Sequence, residues 1–305
     1  MFSFQERRGG SMVDKEGVWL FPIHFKSNIK EDIVIDENEL KLRRMTEDEI
    51  FRFFKVKVEE RYENGLVKRA SGESLDPSVF SDPLNAILIN HKMFVMSSQF
   101  ILEAQETECV SWFQQALKLY KDGKTGAFWG VNPKTSQIHF LQPIPFFGKR
   151  VYSLEESDVP KIKELYKAIK SHRSKRYDLM KDKFLFALCG VDIKSENRFL
   201  ELATILEMLY SPESRTELSF RFSLRACKVL SKYELMDEKT TYEDMRKIYT
   251  IRSSISHSGS HSEAVGFLDK LIDYTRKSLV LFLKDPSIFE DEELDELCVK
   301  NWSRS

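Results

Sequence analysis

The chain has almost no net charge: Lys+Arg 47 stand against Asp+Glu 48 in 305 residues. A near-neutral molecule lacks the long-range field of a histone-like or coat-like nucleic-acid binder, so any polyanion must be met by a local patch. Cysteine is scarce. Cys109, Cys189, Cys227 and Cys298 form no C-x-x-C pair, which argues against a disulfide framework and a zinc finger and fits reduced thiols in a cytosol. Long apolar runs are missing too. The longest near the end is "SLVLFL", and residues 1–16 have no apolar centre, so neither a membrane span nor a secretory signal is expected. The expectation is a soluble, cytoplasmic protein without a membrane partner, internal repeats or low-complexity tracts.

What is present divides into two grammars. Up to about residue 150, "GVWLFPIHF" (17–25), "DIVID" (32–36), "LNAILINHKMFVMS" (84–97), "GAFWGV" (126–131) and "QIHFLQP" (137–143) are short β-branched and aromatic runs bounded by turn residues, hence strands. The last two, joined by "NPKTS", read as a hairpin. Thr46-x-x-Glu49 is a capping box, and Val110, Phe113, Leu117 and Tyr120 make a helical stripe. Beyond "VYSLEESDVP" the period is helical, with helices expected near 159–188, 196–210, 216–232, 241–254, 261–283 and 289–298. The fold class is α+β: a mixed α/β N-terminal domain at 1–152, then an all-α bundle at 153–305.

The second half places charges where core is expected. In "RFLELATILEMLY" the helix is apolar nearly all round, so it should be central and Glu207 buried. In "ELSFRFSLRACKVL", Arg225 shares the face of Leu218, Phe222, Ala226 and Val229. A buried carboxylate and a buried guanidinium on consecutive helices should be partners, since either alone costs several kcal/mol. Such a pair serves structure more often than catalysis. In "TYEDMRKIYTIR", Met245, Ile248 and Tyr249 form the stripe and Arg252 is its next member. His257 follows five positions on, about 140° around an unbroken helix, so a shared site requires a break between them. Gly259 as a C-terminal cap and Ser260-x-x-Glu263 as a capping box would supply it, leaving His257 in or beside the loop.

The segments "LEMLY", "LSFRFSLRACKVL" and "MRKIYTIRSSISHSG" resemble the Apea-like branch of the HEPN superfamily, helical and commonly dimeric domains marked by an arginine, four to six residues, and a histidine. The resemblance covers about 90 residues well and says little of the first half. It implies a metal-independent, cofactor-free endoribonuclease site at Arg252 and His257, with two copies brought together in a homodimer. Glu207 and Arg225 fall where the family tends to carry an acid and an arginine. Ser253 stands where active members commonly have Asn, Asp or His, and it offers one hydrogen bond in each direction. The implied role is a toxin or anti-phage defence effector acting on tRNA or messenger, answering to a phage-derived trigger; the N-terminal half, by its attachment alone, would sense, regulate or guide substrate. The alternative is an inactive HEPN scaffold that binds nucleotide, RNA or a protein.

Other signals are weaker. Residues 161–183 hold nine Lys or Arg (161, 163, 167, 170, 173, 175, 176, 181 and 183) against Glu164, Asp178 and Asp182. Lys167, Lys170, Arg173, Lys175 and Arg176 could track RNA phosphates, or form a solvated face. Tyr249 could stack on a base or serve the core. His257 and His261 have helical zinc spacing, but no Cys or further His is near in sequence. "DGKTG" (122–126) lacks the first glycine of a P-loop, because Lys118 stands there. The serines around His257 have no aspartate relay and suit capping. The acidic end "FEDEELDEL" reads as a solvated helix face that could also mask a basic site.

Overall fold

The computed structural model describes residues 17–46, 49, 60–63, 66–69, 98–127, 129–141, 151–172, 174–189, 193–211 and 218–299. Two compact units divide the chain. The first comprises Met1–Gln114, Gly123–Ile144 and Lys149–Val159; the second comprises Gln115–Asp122, Pro145–Gly148 and Pro160–Ser305.

In the first unit, β1 (Trp19–Ile23), β3 (Ile33–Asp36), β4 (Leu40–Arg44), β7 (Phe100–Ala104), β8 (Trp129–Val131) and β9 (Ile138–Phe140) form one antiparallel sheet in the order β3-β4-β7-β1-β8-β9. A short parallel pair joins β2 (Lys26–Ser27) to β10 (Ser153–Leu154), and β5 (Glu60–Glu63) pairs with β6 (Leu66–Arg69). The central strands β1 and β7 bury Leu20, Phe21, Ile23, Ile101 and Leu102 completely. The expected strands at 17–25, 32–36, 126–131 and 137–143 contain observed ones, and 126–131 pairs with 137–143 as a hairpin. The run at 84–97 lies outside the described residues.

Sequence reasoning missed β4 and β7, "LKLRR" and "FILEA", because each carries a charge inside its run. Glu103 of β7 is completely buried, and Arg43 Nε of β4 donates to its Oε1 at 2.7 Å. Arg43 also holds Glu49. Glu49 closes the expected capping box: its Oε2 accepts from Thr46 N at 2.9 Å while Glu49 N donates to Thr46 Oγ1 at 3.2 Å. Burial pushes the Glu49 carboxyl up, but Arg43 and Thr46 outweigh it and hold it below its usual range. The stripe around Val110 is the helix α1 (Thr107–Tyr120).

The second unit is helical: α2 (Val159–Ser171), α3 (Lys175–Cys189), α4 (Ser195–Tyr210), α5 (Leu218–Glu234), α6 (Glu238–Ser258), α7 (Ala264–Lys284) and α8 (Asp291–Val299). The single helix expected at 159–188 is two. Ser174 interrupts it by accepting from Tyr177 N at 3.4 Å, the act of an N-cap that starts a new helix. As expected, α4 is central; it buries Phe199, Leu202, Ile205, Leu206 and Leu209 and packs on α3, α5, α6 and α7. Its Tyr210 hydroxyl lies 2.7 Å from Ser278 Oγ of α7. Among the described residues no helix is long and apolar enough to cross a membrane.

Arg225 is buried as expected, with 1 % of its side chain exposed. Its partners are different. Nε and Nη2 donate to Asp295 Oδ1 at 2.9 and 2.6 Å, and Nη1 donates to Asp291 Oδ1 at 2.6 Å and to Tyr210 O at 3.2 Å. The acidic end is therefore no merely solvated face: Leu294 is buried, and Asp291 and Asp295, four apart on one side of α8, clamp the guanidinium of α5. Burial raises the Asp295 carboxyl, but Arg225 and Arg221 outweigh it and hold it below the usual range. A carboxyl depressed in the folded state contributes stability that is present above its unfolded value, near 4, and lost as pH falls through the folded one.

Replacing both carboxylates by amides leaves a cation in the core with only neutral acceptors, Tyr210 O and the amide oxygens, to meet it. Asp291→Asn with Asp295→Asn should cost on the order of 3 kcal/mol in urea unfolding at pH 7, whereas Arg225→Met, which lets the aspartates hydrate, should be close to neutral. An Arg225→Met variant as damaged as the double Asn variant would show that packing around the guanidinium, and not its charge, is what α8 supplies.

Candidate functional site

Helix α6 starts at Asp237, whose Oδ1 accepts from Thr240 N at 2.8 Å, and ends at Gly259, whose φ of 79° is the left-handed conformation a C-terminal glycine supplies. Between them the helix is unbroken through Ser258, past the expected end at 254. The Gly259 cap forms, its N–H reaching Ile255 O at 2.8 Å, but it falls after His257 and not before it. The expected capping box from Ser260 to Glu263 does not form. Glu263 N donates to His261 Nδ1 at 3.2 Å, and the Glu263 carboxylate is paired with Lys247 Nζ at 2.7 Å.

Arg252 and His257 therefore sit on one continuous helix, about 7.5 Å apart along its axis and about 140° apart around it. The buried side of α6 is Thr241, Asp244, Met245, Ile248, Ile251 and Ile255. The apolar residue missing from position 252 is supplied by its neighbours, and Arg252 lies at the edge of the stripe with 34 % of its side chain exposed. His257 is exposed on another face. Within one copy of the chain the two side chains do not converge.

Glu207 pairs with Arg252, not with Arg225. Arg252 Nη2 donates to Glu207 Oε2 at 3.0 Å; Nε stands 3.0 Å from Oε1 but off the line of a hydrogen bond. Glu207 was expected to be buried and is half-buried, its side chain 24 % exposed. Burial raises its carboxyl pKa, and the opposing pull of Arg252 does not cancel that. The guanidinium is held along its Nε and Nη2 edge, and among the described residues nothing bonds Nη1. A fork fixed on one side and open on the other can receive an anion there.

The remaining candidates separate. Tyr249 is half-buried against Phe222, ring centroids 6.0 Å apart, which is the core role. Ser253 is half-buried beside Arg252. Arg225 belongs to the α8 clamp. Of the basic run, Arg176 is structural: Nη2 donates to Met208 O and the guanidinium lies over the Phe282 ring at 5.3 Å. Lys167 and Lys175 are exposed, Lys170 is half-buried, and Arg173 lies outside the described residues. Lys181 and Lys183 are paired with Asp178 and Glu201. Among the described residues no group of three His, Cys, Asp or Glu could hold a metal ion.

Because the folded pKa of Glu207 lies above its unfolded value, about 4.3, its ionised form costs stability, and that cost appears as pH rises through the folded value. Glu207→Gln should thus melt no lower than wild type at pH 7, with any advantage gone near pH 4; a clearly lower melting temperature at pH 7 would contradict this account of the pair. No protein-family model, no curated protein and no solved structure matches this chain.

Proposed function

We propose that the helical unit is a metal-independent endoribonuclease of the HEPN type whose site is completed between two copies of the chain. The reading rests on the resemblance around Arg252 and His257, and one observation carries it further: a half-exposed guanidinium fixed by Glu207 on the same helix as an exposed imidazole. Their angular separation makes a second copy part of the proposal, because two motif helices meeting about a two-fold axis can face the Arg252 of one copy with the His257 of its partner.

The chemistry needs only these side chains. His257 of one copy takes the proton from a ribose 2′-hydroxyl as that oxygen attacks the adjacent phosphorus. Arg252 binds the non-bridging oxygens as negative charge builds in the phosphorane. The bond from phosphorus to the 5′-oxygen breaks, and the imidazolium just formed gives that oxygen its proton, so one Arg252 and one His257 suffice. The products are a 2′,3′-cyclic phosphate and a 5′-hydroxyl, and no water is consumed. The role in defence or toxicity follows the resemblance alone, and the assignment of a regulatory task to the first unit follows only from its attachment to the second.

A second reading is favoured by the unbroken helix: a HEPN-like scaffold without catalysis, in which Arg252 holds a phosphate or a partner and His257 is a surface residue. Purified protein, Arg252→Ala and His257→Ala compared on total cellular RNA in EDTA separate the two. The nuclease reading expects cleavage by wild type leaving cyclic phosphate ends, with a loss of at least 100-fold in either variant. Equal cleavage by all three places the activity elsewhere, and binding without cleavage supports the scaffold.

A further inference from the structure

Along α6, Lys239, Tyr242, Arg246, Ser253 and His257 fall within an arc of about 60° on an ideal helix, on the side opposite the buried stripe. Lys239, Arg246 and His257 are exposed and Tyr242 half-exposed. The Arg246 guanidinium lies over the Tyr242 ring, 6.0 Å from its centroid. The carboxylates of the helix are kept off this arc. Asp244 is buried and accepts from Lys270 and Tyr274 at 2.8 and 2.7 Å. Glu238 is ion-paired with Lys228, and Glu243 stands at the margin of the arc. The result is a ridge of cations and one aromatic ring that ends at His257, with Arg246 about 16 Å and Tyr242 about 22 Å from it along the axis.

We infer that this ridge is the track for a single-stranded RNA segment flanking the cleaved bond, with Lys239 and Arg246 on phosphates and Tyr242 stacked on a base. The inference rests on the nuclease reading for its direction toward His257. Charge complementarity selects a polyanion, and an aromatic face beside a guanidinium suits an unpaired base, whose π-face is available only in a single strand. A duplex would offer this narrow ridge phosphates but no base to stack. The basic run on α2 and α3 is the competing surface, yet there Arg176, Lys181 and Lys183 already have partners.

The test uses full-length protein and single-stranded 2′-O-methyl RNA, which has no free 2′-hydroxyl and so reports binding whether or not the protein cleaves. Affinity is measured across a salt series. Lys239→Gln and Arg246→Gln should each lower the slope of log K against log salt by about 0.7, one phosphate contact apiece. Arg246→Lys should keep the slope. Tyr242→Ala should weaken binding about tenfold with the slope intact. Thermal melting confirms that each variant is folded. Slopes and affinities equal to wild type in all three loss variants overturn the track, as does no binding by wild type, or a loss that follows Lys163→Gln and Lys167→Gln on α2 instead. If the ridge variants change self-association and leave RNA affinity alone, the surface is a contact between copies and the track is again overturned. Shifted slopes without cleavage of ordinary RNA would remove the nuclease reading and leave the track standing.

Discussion

A guanidinium taken out of water must find acceptors for its N–H groups, and Arg225 imposes that requirement on the helical unit. Its donors reach the last carbonyl of α4 through Tyr210 O and two carboxylates of α8, so one side chain of α5 fixes the ends of two other helices. Tyr210 extends the constraint: its hydroxyl meets Ser278 of α7 inside the core. An apolar residue at 225 would fill space without dictating where α8 lies. The charge costs desolvation, and what it returns is a defined position for the C-terminal helix.

The same logic, at a less buried place, positions the motif helix. Glu207 leaves α4 three residues before Tyr210 and holds Arg252 of α6. The carboxylate of this pair is not held below its usual range as Asp295 is. Its pKa is raised, because burial outweighs a single imperfectly aligned partner. A guanidinium with one weakly committed carboxylate is better disposed to meet an anion than one saturated by two, which is why Arg252 and not Arg225 is the candidate functional arginine.

How much of this was legible in the sequence depends on how local the cause is. The helical half, the burial of Arg225, the central place of α4 and the Gly259 cap follow from period and cap chemistry, which act over a few residues. The partners of the two arginines did not follow. Consecutive helices suggested Glu207 with Arg225, whereas the pairs join positions 45, 66 and 70 residues apart. A signal was present in retrospect: Asp291 and Asp295 flank Leu294 at helical spacing, so a helix that buries its leucine must turn both acids toward what covers it. The break between Arg252 and His257 was misplaced because a glycine ends a helix one residue beyond its last turn, and the serines at 253, 254, 256 and 258 stay helical although serine favours caps and turns, Ser258 Oγ donating back to Ser254 O at 2.7 Å. The strands "LKLRR" and "FILEA" hid because Arg43 and Glu103 neutralise each other only once paired across the sheet.

The unbroken helix has the largest consequence for function, since it sets Arg252 and His257 on different faces of a single copy. If the two residues act on one phosphate, they come from two chains. Mixing the separately inactive Arg252→Ala and His257→Ala proteins tests this most directly, because a mixed pair of chains holds one complete Arg252 and His257 set across its interface. The account predicts that cleavage of RNA returns on mixing, in proportion to the mixed species formed. Mixed species that form and stay silent would contradict it.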